Sequence, residues 1–192
     1  MADKHYNSSL KNQFLIAMPH MEASGFENTV TYICEHDEAG AMGLVINRPT
    51  GVFLQEVFRQ MNIDVDIDTV SNDQLPIYAG GPLQPDRGFI LHCKNREWQS
   101  TVSVSTEISL TTSRDILTSI AQNEGPEEYM IALGYAGWGK GQLERECANN
   151  YWFTVPADID IVFHTPSEER LGAAARLLGI NLNQVSSYAG HA

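Results

Sequence analysis

Three stretches of this chain carry residue types that could do chemistry at a useful spacing. The first runs Gly134-Tyr135-Ala136-Gly137-Trp138-Gly139-Lys140-Gly141, between an apolar stretch and a helical one. It fits the spacing of a phosphate-binding loop as far as the lysine. Backbone N–H groups at a helix N-terminus would face an anion, and Lys140 would add charge. Gly141 stands where a Ser or Thr should hold magnesium, and no apolar strand ends in a metal-binding Asp. Nucleotide hydrolysis is therefore rejected. What is left is a polar-ligand loop, or a tight glycine turn that lays Trp138 against a sheet. Gln142 and Glu144 follow in the first helical turn, where a carboxylate suits the helix dipole whether or not it acts as an acid. The other two stretches are Asn47-Arg48-Pro49, which closes an apolar strand, and Asp86-Arg87-Gly88, which opens one. An Arg at a strand end can offer a planar donor fork to a carboxylate or phosphate. The structural alternative is an internal salt bridge, for instance with Asp86 or Glu144.

Metal and nucleophile readings are weaker. Asp64, Asp66 and Asp68 resemble a calcium loop until Thr69 takes the glycine position and Leu75 the bidentate glutamate position. Cys34 with His36, and His92 with Cys93, are isolated pairs rather than clusters at zinc spacing. There is no Gly-x-Ser-x-Gly elbow. We assign no metal and no cofactor. If the chain is an enzyme, a hydrolase or transferase acting on an anionic small molecule, its general base is to be sought among Glu144, His36 and His92, beside an arginine clamp.

The elements that must position these groups read as follows. Phe14–Met18, Thr29–Cys34 and Met42–Ile46 are strands, the last two a hairpin. Phe53–Met61 has helical apolar spacing. Ile77–Ala79 and Gly88–His92 are strands flanking the turn-rich GGPLQPD, and Thr101–Ser105 and Ile108–Thr112 are further strands. Ser113 caps a helix ending near Asn123. Tyr129–Tyr135 is a strand leading into the glycine-rich loop, followed by a helix over Gln142–Asn149. Trp152–Val155 and Ile159–Phe163 are strands, and Pro166 opens a helix reaching Leu178 with Gly179 as its C-terminal stop. Strands mostly follow strands, which predicts an α+β single domain: a mainly antiparallel, coiled or barrel-like sheet with about four helices. Residues 1–12 read as a loose N-terminal segment and 13–192 as the domain.

Composition narrows the partners. Among 192 residues, 12 are basic and 24 acidic, a formal charge of −12, and 43% are hydrophobic. No run of Lys or Arg exists to neutralise phosphates, so direct nucleic-acid binding is disfavoured. The first apolar run, Phe14–Met18, is shorter than the roughly 7–15 residues of a signal peptide core or the roughly 20 of a membrane span. Three widely spaced cysteines suggest free thiols. These features predict a cytoplasmic protein with no membrane contact. Its oligomeric state is left open.

The strings FLIAMP (14–19), GAMGLVINRP (40–49), GGPLQPDRGFILH (80–92), GYAGWGKGQLE (134–144) and GHA (190–192) together resemble the YqgE/AlgH family of bacterial proteins, in order and from about residue 12 onward. The resemblance implies a single α+β domain with a coiled, barrel-like sheet and a cytoplasmic location. It assigns no reaction and no catalytic residue, though some members carry a regulatory label tied to alginate production. Combined with the polar strand ends, it favours a small-ligand or protein-binding regulatory module over the enzyme reading. The candidate binding residues are Asn47, Arg48, Arg87, Trp138, Lys140, Gln142 and Glu144. The partner expected is an anionic small molecule or another protein.

Overall fold

Ten strands and five helices alternate unevenly along the computed structural model, which describes residues 9–18, 25–65 and 74–179. The strands are β1 (Gln13–Ala17), β2 (Val30–Asp37), β3 (Gly40–Val45), β4 (Pro49–Phe53), β5 (Pro76–Ala79), β6 (Leu83–Cys93), β7 (Thr101–Ser103), β8 (Ile108–Thr111), β9 (Tyr129–Gly139) and β10 (Trp152–Pro156). The helices are α1 (Leu54–Gln60), α2 (Arg114–Ala121), α3 (Gln142–Ala148), α4 (Ile159–Phe163) and α5 (Ser167–Leu177). Hydrogen bonding orders the sheet β10-β1-β2-β3-β9-β6-β8-β7, with β4 and β5 joining beside β9. Every pairing is antiparallel except β5 on β9. The α+β class and the mainly antiparallel, coiled sheet expected from the sequence are what is found.

One apolar cluster runs across the sheet from Phe14 on β1 through Tyr32 and Leu44 to Leu91 and Leu110 on β6 and β8. Only the inside of a curled sheet brings such distant strands together, so this is the inner face of a half-barrel. The curl is tied across its gap by Lys11, whose Nζ donates to the Ser103 carbonyl at 2.9 Å. Helices α4 and α5 close part of that face with Ile161, Val162, Ala173 and Ala174. On the outer face, α1 and α2 cover Ile77, Ile90 and Ile131. Leu143 of α3 packs there with Leu15, Ile33 and Ala136, beside Trp138 and Trp152.

Several local expectations are corrected. Ile159–Phe163 is a helix, not a strand: the Asp158 carboxylate accepts the Asp160 N–H at 2.9 Å, and this N-cap overrides the β-branched composition. The glycine-rich stretch 134–139 is no loop, because β9 runs through it to Gly139. Likewise β6 begins at Leu83, inside the expected turn. Strand β4 was not expected at all. Of residues 1–12, Leu10 and Asn12 are docked, with the Leu10 N–H on His36 Nδ1 and the Asn12 N–H on the Ile33 carbonyl, 2.8 and 2.9 Å. Residues 1–8, Asp66, Asp68, Thr69 and the GHA motif lie outside the described residues.

Candidate functional site

The site is made by strands that change face part-way along. On β9, Met130 and Ala132 point inward, while Ile131 and Leu133 point outward. Gly134 then adopts φ +72°, and a Cβ there would lie 2.5 Å from the Gly81 carbonyl oxygen. Gly134 faces a four-residue bulge of β6, residues 84–87, and at this irregularity the two-residue alternation of β9 shifts by one. Tyr135, Gly137 and Gly139 thereby face inward, and Ala136 and Trp138 outward. A second irregularity lies between Ile33 and Glu35 on β2. It turns Glu35 and Asp37 toward the inner face, after Tyr32 and Cys34 have already pointed there.

Together these shifts leave a hollow of about 740 Å³ on the part of the inner face that α4 and α5 do not reach. Its apolar surface comes from Met42, Leu83, Phe89, Val102, Leu110 and Tyr135. Leu83 and Val102 are 43% and 44% exposed. The Phe89 and Tyr135 rings stand 5.4 Å apart. Glu35 and Asp37 supply negative charge, and Arg87 supplies the positive charge. The Arg87 guanidinium lies 5.4 Å from the Phe89 ring centre and donates to Gln84 Oε1 at 3.2 Å. Among the described residues no carboxylate pairs with it.

The sequence-predicted residues do not converge here. Arg87 lines the hollow, and Trp138 touches it while its indole faces the other way. There Trp138 Nε1 donates to Glu146 Oε2 at 2.9 Å. Gln142 lies beside it: its Oε1 accepts the Gly139 N–H at 3.0 Å and its Nε2 donates to Glu146 Oε1 at 2.9 Å. Lys140 is exposed in the turn before α3. Asn47 and Arg48 sit apart from both, clamping the chain at 25–30. Asn47 accepts the Val30 N–H and donates to the Asn28 carbonyl, 2.9 and 2.8 Å. Arg48 donates to the Gly25 and Glu27 carbonyls and pairs with the Glu27 carboxylate at 3.7 Å, so its ion-pair partner is neither Asp86 nor Glu144.

The three candidate bases are committed elsewhere. The Leu10 N–H occupies His36 Nδ1, which places the ring proton on Nε2, donated to Glu144 Oε1 at 3.2 Å. His92 ends a buried chain: the Trp98 N–H donates to Thr101 Oγ1 (2.9 Å), the Thr101 hydroxyl to Thr111 Oγ1 (2.7 Å) and the Thr111 hydroxyl to His92 Nε2 (2.8 Å). His92 Nδ1–H then donates to the Cys93 carbonyl at 2.9 Å. Burial lowers the His92 pKa below the ordinary histidine value and holds the ring neutral.

The inward residues Glu35, Asp37, Met42, Val102 and Tyr135 were missed by sequence reasoning. For Tyr135 the signal was the glycine at 134, which reads equally as a turn; nothing in the chain announced the other four.

Comparison with known proteins settles the kinship. The AlgH-like family model (DUF179) matches residues 14–183. The chain belongs to the AlgH-like family. UPF0301 protein Tgr7_2910 of Thioalkalivibrio sulfidiphilus is 51% identical over 186 residues, covering 97% of this chain and 98% of that one. UPF0301 protein PSPA7_0505 of Pseudomonas paraeruginosa is 52% identical, covering 95% and 96%. The solution structure of the AlgH protein from Pseudomonas aeruginosa superposes with a TM-score of 0.79 at 49% identity over the whole of both chains. Protein DIP2367 from Corynebacterium diphtheriae, 22% identical with a TM-score of 0.73 over 94% and 93% of the two chains, shares the fold of this AlgH-like chain.

Proposed function

We propose that the hollow binds a small molecule with an apolar body and an anionic group, and that the protein works as a ligand-binding regulatory module of the bacterial cytoplasm. The observation that carries this reading is Arg87: a guanidinium without a carboxylate partner among the described residues, on an apolar concavity that no described residue covers. Such a site combines the two elements of small-molecule recognition, apolar area for affinity and one charged group for orientation. Glu35 and Asp37 penalise a ligand that places a second negative charge near them. Binding is favoured over catalysis because Glu144, His36 and His92 are held in internal hydrogen bonds away from the hollow. No helix among the described residues is long and apolar enough to cross a membrane, in keeping with the cytoplasmic reading.

The test uses the fluorescent amphipathic anion anilinonaphthalene sulfonate, followed by a thermal-shift screen of carboxylated and phosphorylated metabolites. A hydrogen bond to a charged group contributes about 1.5–3 kcal/mol. Arg87→Ala should therefore weaken binding roughly 10–100-fold, and Val102→Trp, which fills the hollow, should remove it. Probe affinity unchanged in both variants would overturn the proposal. A screen in which nothing raises the melting temperature would move the reading to a protein partner.

A further inference from the structure

Arg170 lies in the first turn of α5 with 4% of its surface exposed. Its Nε donates to the Thr165 carbonyl at 2.9 Å, its Nη1 to the Ile46 carbonyl, and its guanidinium sits 4.9 Å from the Tyr78 ring centre. Every one of these partners is neutral. Among the described residues no carboxylate comes within ion-pair distance of it. Taking an ion out of water costs several kcal/mol even after the protein relaxes, and buried charges are ordinarily paired. Two carbonyls and the Tyr78 side chain offset part of that cost, and the Glu168 carboxylate acts on the charge only from beyond ion-pair distance. Burial accordingly pulls the Arg170 pKa below its ordinary value.

Arg170 also lines a cavity of about 250 Å³ with Tyr78, Tyr129, His164, Thr165 and Ser167. A single water needs only roughly 10–15 Å³ of such space, so the cavity has room for a small molecule. His164 stands at its rim. Its two ring nitrogens face the carboxylates of Asp160 (2.8 Å) and Glu128, an arrangement that only the imidazolium satisfies. One imidazolium against two carboxylates leaves that cluster net negative, so the positive charge facing the cavity is that of Arg170 alone. The nearby Glu168 carboxylate accepts the Ser167 hydroxyl at 3.1 Å.

We propose that this cavity is a binding site for a small oxyanion, a carboxylate or phosphate group, held by the buried Arg170 guanidinium. The site is separate from the hollow around Arg87. An occupant would place a counter-charge in direct contact with Arg170 and pin α5 to the ends of β3 and β5. The test follows backbone amide NMR shifts of the intact protein titrated at constant ionic strength with inorganic phosphate and, separately, with acetate, chloride serving as reference. The expected result is a saturating shift confined to Tyr78 and residues 165–170, preserved in Arg87→Ala. Ser167→Glu, which places a carboxylate in the cavity without touching the guanidinium, should abolish it. Arg170→Lys should weaken it, since an ammonium cannot form the planar fork. A response to phosphate alone, or to acetate alone, identifies which oxyanion the site selects. Absence of a saturating local shift with either anion, or shifts that survive Ser167→Glu, would refute the proposal.

Discussion

Trp138 and Trp152 donate their indole N–H groups to the same oxygen, Glu146 Oε2, at 2.9 and 2.8 Å, with their rings 6.0 Å apart and nearly perpendicular. They come from β9 and β10, on either side of α3 in the chain, and the carboxylate that joins them is on α3 itself. Both indoles are more than nine-tenths buried. Removing the acceptor leaves two buried donors unsatisfied, each worth about 1–3 kcal/mol. Glu146→Ala is therefore expected to cost about 2–6 kcal/mol in urea unfolding. Glu146→Gln, which keeps an acceptor oxygen, should cost clearly less. Equal losses would mean that the interaction is packing rather than hydrogen bonding.

Gly134 sets which side chains face the hollow, so its substitution should affect more than stability. Its φ of +72° costs an L-residue roughly 1–2 kcal/mol, and a Cβ would meet the Gly81 carbonyl oxygen, which is backbone and cannot swing aside. Gly134→Ala should destabilise by about 2 kcal/mol or more and, in whatever remains folded, weaken probe binding at Arg87 by disturbing Tyr135 and Gly137. A variant as stable as the parent would show that the left-handed glycine is dispensable.

How far the molecule was legible in its sequence follows from the range of each signal. Local signals were reliable. Ser113 stands at the N-cap of α2, α5 starts directly after Pro166, and Gly179 ends it with φ +70°. The hairpin of β2 and β3 was visible in its β-branched runs. What failed were signals with two meanings. A glycine before an apolar-aromatic run reads as a loop, whereas here Gly134 is a left-handed residue inside a strand paired on both edges. Ile159, Ile161 and Val162 read as a strand until Asp158 is seen to cap them. The candidate residues scattered because charge partners depend on pairing across the sheet. Nothing near Arg48 in the chain announces that it will clamp Gly25 and Glu27.

Arg48 is accordingly expected to be a stability residue. Its ion pair with Glu27 is solvent-exposed enough to contribute little, about 0–1 kcal/mol, and its two bonds to backbone carbonyls add a similar amount. Arg48→Ala should lower stability by about 1–2 kcal/mol while leaving probe affinity at the hollow unchanged. A loss of affinity with no loss of stability would reverse the assignment and make Arg48 a ligand contact.

Two histidines should drive stability in opposite directions with pH. His164 is held above its ordinary pKa by hydrogen bonds from its ring to Glu128 and Asp160. The folded protein thus keeps that proton after the unfolded chain has released it. Its contribution is complete below the unfolded value, near pH 6.5, and disappears as pH rises through the folded value. His92 is held below its ordinary pKa by burial, so the unfolded chain takes up a proton that the folded chain refuses. Its contribution is present above the unfolded value and is lost as pH falls. Urea midpoints measured from pH 5 to 9 should therefore show the gap between parent and His164→Gln shrinking as pH rises. For His92→Asn, the gap should shrink as pH falls. Ring-proton NMR should place the His164 midpoint above that of a free histidine and the His92 midpoint below it. If the His164→Gln gap does not change with pH, the imidazolium does not hold α4 to the start of β9.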